Sequence, residues 1–162
     1  MADRPVALVV TVSDSVAAGS AEDTSGPTAA AMLDGLGFDV GPVEVVPDGI
    51  ASVAEALRAH APSVQLIVTT GGTGLSPRDL TPEATASVID REVPGLAEAM
   101  RAATFETVPY GKLSRGVAGL VGTCLVVNLP GSRKAVVEGL EVIGPVLQHA
   151  VDIASGNHGD HR

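Results

Sequence analysis

Gln65-Leu66-Ile67-Val68-Thr69-Thr70-Gly71-Gly72-Thr73-Gly74 reads as an apolar strand that runs directly into a glycine-rich turn. Five apolar or β-branched residues in a row, bounded by glycine, are the pattern of a strand buried on both faces. Seven residues beyond the turn, Thr81-Pro82-Glu83 has the composition of a helix start, with Thr as cap, Pro in the first turn and then an acid. Strand, glycine turn, helix is the repeating unit of a parallel sheet covered by helices, so this stretch decides the fold class.

The same unit recurs on both sides of it. Upstream, Val6–Val12 is a second continuous apolar run, and Thr28–Leu36 is Ala-rich and helical in pattern, with Gly37 as its stop. Phe38–Val46 reads as a further strand, broken by Pro47-Asp48-Gly49. Ile50, Val53, Ala54 and Leu57 then recur at helical spacing. Downstream, the helix opened by Thr81 is expected to run to about Glu92, and Leu96–Phe105 forms another. Val117–Val121 and Leu125–Leu129 flank Gly122-Thr123 as a hairpin, and Arg133–Ala154 is a long last helix with a kink expected at Gly144-Pro145. The sum is an α/β three-layer sandwich, a mostly parallel mixed sheet with helices on both faces. Residues 1–155 are expected to form a single domain and residues 156–162 a disordered polar tail.

Composition narrows the function. At 162 residues and 45% hydrophobic, the chain can build a core without disulfides or a structural metal. Its one cysteine, Cys124, opens an apolar run and reads as a buried, reduced thiol of a cytoplasmic protein. Val6–Val12 is too short to span a bilayer and has no basic segment before it, which argues against a membrane protein or a signal peptide. A net charge of −9 argues against a nucleic-acid partner. The histidines His60, His149, His158 and His161 lack ligand spacing, so no transition metal is assigned. Arg78, Lys112, Arg115, Arg133 and Lys134 nevertheless fall beside glycine-rich motifs, as a small anionic ligand would require. Arg91 and Arg101 read as solvated cations on helix surfaces.

In open parallel sheets, ligands bind beyond the carboxyl ends of the strands. Ser13-Asp14-Ser15, Pro47-Asp48, Thr70–Asp79 and Asn128–Ser132 all sit there. Gly71, Gly72, Thr73 and Gly74 can offer backbone N–H groups to a phosphate, although the same loop would also serve as a plain tight turn. It is neither a dinucleotide fingerprint nor a Walker loop, which weighs against a nucleotide-binding oxidoreductase. Asp79 is not needed as a cap, because Thr81 supplies one, and so reads as a metal or substrate ligand. Asp48, taken alone, reads as a helix cap.

Five blocks carry a resemblance. They are Thr11-Val12-Ser13-Asp14-Ser15, Asp23-x-Ser25-Gly26, Thr69–Gly74 with Arg78-Asp79-x-Thr81-Pro82-Glu83-Ala84, Leu113-Ser114-Arg115-Gly116, and Asn128-Leu129-Pro130-Gly131-Ser132. In this order, from about Val6 to Ala154, the chain resembles the molybdenum-cofactor biosynthesis proteins of the MogA/MoaB type. The resemblance implies a molybdopterin adenylyltransferase, in which ATP and molybdopterin react with magnesium to give adenylylated molybdopterin and pyrophosphate. It implies Asp48 and Asp79 as the catalytic pair and the magnesium ligands. For substrate it implies the Gly71–Gly74 loop, the Ser114-Arg115 region and the Pro130–Ser132 turn. Ser13, Asp14 and Lys134 join these as candidate substrate contacts because they flank the same motifs. A homotrimer and contact with other molybdenum-cofactor enzymes are implied as well. The alternative within the same fold is a pterin-binding scaffold with weak or no transfer activity. Chemically, the attacking phosphate is already ionised, so catalysis should rest on positioning and fixed positive charge.

Overall fold

The structure, a computed structural model, describes residues 3–157. Val6–Val12 (β1), Leu66–Thr70 (β4) and Cys124–Leu129 (β7) are its central strands. The sheet has seven strands. Asp39–Val40 (β2) and Glu44–Val46 (β3) both pair with β1 in parallel, β1 pairs with β4, and β4 with β7. Ala118–Val121 (β6) runs antiparallel to β7 across the Gly122-Thr123 turn, and Arg91–Glu92 (β5) closes the far edge against β6. The sheet is thus mostly parallel with an antiparallel hairpin, as the sequence leads one to expect.

Strict alternation along the buried strands divides the core into two layers. Ala7, Val9, Leu66, Val68, Leu125 and Val127 face one way. There they meet Ser25–Gly35 (α2), Pro94–Ala103 (α5) and Arg133–Ala154 (α6), through side chains such as Leu33, Leu96 and Leu140. Leu8, Val10, Ile67, Cys124 and Val126 face the other way, toward Ile50–His60 (α3) and Thr81–Ala86 (α4). Because successive strand side chains point to opposite faces, apolar residues at every position require helices on both sides. Cys124 is fully buried, and desolvation pushes its thiol up to about 12, so the thiolate form is suppressed.

The structure corrects three local expectations. The strand expected over Phe38–Val46 is interrupted. Val6 pairs with Asp39 but Val10 with Glu44, so the edge strand carries one extra residue around Pro42, which has no N–H to give to the ladder. The helix expected to reach Glu92 stops at Ala86, and Arg91, expected on a helix, lies on β5. The β-branched pair Val88-Ile89 and the demand of β6 for an edge partner outweigh the helical pattern. Asp14–Ala17 (α1) is a short helix that the polar segment after β1 conceals, capped by Ser13 through its hydroxyl. By contrast α6 passes through Pro145, whose exposed position leaves the unpaired carbonyl one turn back to solvent. Of the expected tail, Gly156 and Asn157 are exposed and non-helical; the rest, with His158 and His161, lies outside the described residues.

Candidate active site at the carboxyl ends of the strands

The parallel strands β1, β3, β4 and β7 end together, and the loops that follow them build the site. After β4 the chain must turn without side chains. Gly71 has φ +93°, and a Cβ there would lie 2.4 Å from the carbonyl oxygen of Val12. Gly72 has φ +71°, and a Cβ would lie 2.1 Å from the hydroxyl of Thr81. Only glycine satisfies both the handedness and the space. Thr81 is not the cap expected of it. It is the first residue of α4, and it ties the loop back to the helix. Its hydroxyl donates to the Gly71 carbonyl at 2.9 Å and its N–H to that of Gly72 at 3.1 Å.

Asp48 does not cap α3 either; Gly49 occupies that position. The carboxylate of Asp48 instead accepts the N–H of Asp14 at 3.0 Å, and that of Asp14 accepts the N–H of Asp48 at 2.9 Å. This reciprocal pair joins the ends of β1 and β3. Burial, and then the nearby carboxylates of Asp14 and Asp79, push Asp48 above the ordinary carboxylate value of 3.8; the Asp14 N–H and Arg78 pull the other way. Arg78 approaches Asp14 at 3.5 Å. Asp79 accepts the N–H of Ser76 through Oδ2 at 3.0 Å. Among the described residues, Oδ1 of Asp48 and Oδ1 of Asp79 take no hydrogen bond. Two partly solvated carboxylates, each with an oxygen to spare and mutually repelling, suit one hard cation. No group of three or more His, Cys, Asp or Glu side chains gathers as a metal site among the described residues.

A cavity of about 880 Å³ opens beside this loop. Of the residues expected in the site, Gly72, Thr73, Gly74 and Asp79 line one side, and Ser114 and the Pro130–Ser132 turn another. Ser132 caps α6 by accepting the N–H of Ala135 at 3.2 Å, so the amino end of a 22-residue helix faces the cavity. The lining also has an apolar part, with Ala97, Met100, Val108, Leu113 and Val142, beside Glu138 and Glu141. Gly71 and Ser13 line a smaller polar hollow next to it, which shares Gly131 with the cavity. Asp14 and Asp48 line neither.

Arg115 and Lys134 are not in the lining. Lys134 is exposed and lies 3.7 Å from Glu138. Arg115 turns its guanidinium toward Glu83 and the loop carbonyls, and this pairing holds Glu83 below its ordinary value of 4.5. Arg101, read from sequence as a bystander, lines the cavity and donates to the carbonyls of Ser114 and Gly116 at 3.3 and 2.8 Å. Nothing in its helical spacing announces this, because the partners lie more than ten residues away. Asn128 is a polar residue within an apolar strand. Its amide donates to Thr69 and Thr85, both at 3.0 Å, and accepts the N–H of Val117 at 3.1 Å, holding β4, β7 and α4 in register under the cavity.

The family described as "Probable molybdopterin binding domain" matches residues 8–149. Among curated relatives, the molybdopterin adenylyltransferase of Helicobacter pylori strain J99 is 37% identical over 157 residues, which cover 93% of this chain and 88% of that protein. The molybdenum cofactor synthesis protein cinnamon of Drosophila melanogaster is 36% identical over 148 residues, covering 90% of this chain. The chain spans about a quarter of cinnamon's length, 25%. Among solved structures, the molybdopterin biosynthesis enzyme MoaB of Thermus thermophilus superposes with a TM-score of 0.89 at 45% identity, covering 94% of this chain and 97% of that one. The glycine loop, the strand-end carboxylates and the helix-capping turn therefore sit in a known frame, and the chain belongs to the molybdopterin-binding domain family of molybdenum-cofactor biosynthesis.

Proposed function

We propose that this protein transfers the adenylyl group of ATP to the terminal phosphate of molybdopterin and releases pyrophosphate. The observation that carries this reading is the convergence of the Gly72–Gly74 backbone, Asp79 and the amino end of α6 on one cavity. Fixed N–H donors and a helix dipole suit polyanionic substrates in a protein whose overall charge opposes them. The apolar part of the lining suits a flat heterocycle. Lys134, on the first turn of α6, is placed to swing from Glu138 toward a phosphate. Asp48 and Asp79 would hold magnesium, which when bound neutralises phosphate charge; the protein's own part is to align the two phosphates and exclude water. Ser13 and Asp14 brace this region, through the cap of α1 and the bond to Asp48.

The buried thiol fits the cytoplasm, and no described helix is long and apolar enough to cross a membrane. Exposed Val142, Val146 and Ile153 at helical spacing on α6 support self-association, with the number three taken from the family likeness. The test is incubation with molybdopterin, ATP and magnesium. Stoichiometric pyrophosphate and adenylylated pterin are expected. Pterin binding without pyrophosphate would assign a scaffold instead.

A further inference from the structure

We propose that Arg115 is a positioning residue which, clamped by Glu83, sets the shape of the Gly72–Asp79 loop and does not bind substrate. The inference rests on reading that loop as part of the substrate site. Arg115 is gripped by the loop at both ends of its own length. Its backbone N–H donates to the Thr73 carbonyl at 2.8 Å. Nε donates to the Gly74 carbonyl at 2.8 Å, and Nη2 to the Asp79 carbonyl at 2.6 Å. Nη1 donates to Oε1 of Glu83, and Nη2 also reaches Oε2 at 3.5 Å. Four side-chain bonds therefore occupy most of the five N–H donors a guanidinium has, leaving little with which to hold a phosphate.

The geometry has a purpose that one carbonyl contact would not serve. Gly72–Asp79 leaves β4, projects outward with Leu75 exposed, and returns to α4. Its own bonds are few, mainly Ser76 N–H to Asp79 Oδ2 at 3.0 Å and Asp79 N–H to the Ser76 carbonyl at 2.9 Å. Arg115 draws the carbonyls of residues 74 and 79, the loop's two flanks, toward one planar group. Glu83, on α4, orients that group. With the carbonyls turned to Arg115, the side chain of Asp79 lines the cavity. A lysine keeps the charge but offers no planar fork, so it cannot bridge two flanks and a carboxylate at once.

The experiment is amide hydrogen exchange on the ligand-free protein, which reports on the loop whether or not the chain transfers adenylate. Arg115→Lys and Glu83→Ala should each accelerate exchange of the Ser76 and Asp79 amides roughly tenfold, while β4 amides keep the wild-type rate. Glu83→Gln, which keeps one acceptor, should fall between wild type and Glu83→Ala. The double variant Arg115→Lys with Glu83→Ala should be no faster than either single one, because the two act as one unit. Wild-type exchange in Arg115→Lys, or in Glu83→Ala, would overturn the proposal, as would additive effects in the double variant. A molybdopterin titration of Glu83→Ala adds a second readout. Weakening like that of Arg115→Lys supports positioning, whereas wild-type affinity beside a weakened Arg115→Lys marks Arg115 as a ligand. An inactive wild type with the expected exchange pattern would remove the transferase reading and leave the positioning role standing.

Discussion

Asp14 and Asp48 each spend an oxygen on the other's backbone, and this reciprocity fixes where the second carboxylate of the site stands. Its pKa is set first by burial, which raises it, with the Asp14 and Asp79 charges adding to the rise and the Asp14 N–H opposing it. With Asp48 acting as a carboxylate in the proposed reaction, its raised value places the acid limb of activity above the pH at which an ordinary aspartate ionises. Asp14→Asn removes a neighbouring charge yet keeps an oxygen for the Asp48 N–H. The acid limb of kcat/KM should then move to lower pH, measured as a full pH–rate profile; an unmoved limb would mean that Asp14 does not tune Asp48. Read alone, Asp48 looks like a cap and Asp79 like a residue released from capping by Thr81. The cap assignments of Asp48 and Thr81 fail locally, because Gly49 and Leu80 occupy those positions, while Asp79 is indeed no cap. A cap is a matter of backbone dihedrals that residue type only biases. What the sequence does show is that both acids follow a strand, and in a parallel sheet that puts them at one edge.

At the scale of elements, the legible parts are those with strong periodicity. β1, β4, β7 and α6 lie where uninterrupted apolar runs and helical spacing put them. The parts decided by partners are not legible. β5 exists because β6 needs an edge, and Arg101 acts at the carbonyls of a motif distant in sequence. α6 makes the corresponding energetic claim, since Leu140 is 1% exposed and packs in the layer with Leu129 and Val127. Leu140→Ala should cost about 2–5 kcal/mol of stability, as other buried leucines do. Asp152→Ala, exposed on the same helix, should stay within about 0.5 kcal/mol. Urea unfolding of the two variants checks both, and equal midpoints would contradict the packing described for α6.

The whole molecule carries a charge of −9 and yet is read as holding two polyanions. Its answer is local, with backbone donors and a long helix's amino end on one cavity, set against Asp79, Glu138 and Glu141 in the same lining. The exposed stripe of Val142, Val146 and Ile153 belongs to this scale too. Light scattering at micromolar concentration should return three chain masses, and a monomer mass would contradict the trimer. Oligomer number is not written in composition, because it depends on how surfaces meet. In the proposed reaction the Asp48 and Asp79 carboxylates and the glycine loop form one adenylyl-transfer site. The most direct test is pyrophosphate release from ATP and molybdopterin by Asp48→Asn and Asp79→Asn, each confirmed as folded. Removing either carboxylate should lower the rate by roughly a hundredfold or more, in line with the loss of one group that stabilises a transition state. Rates near wild type in both variants would contradict the account.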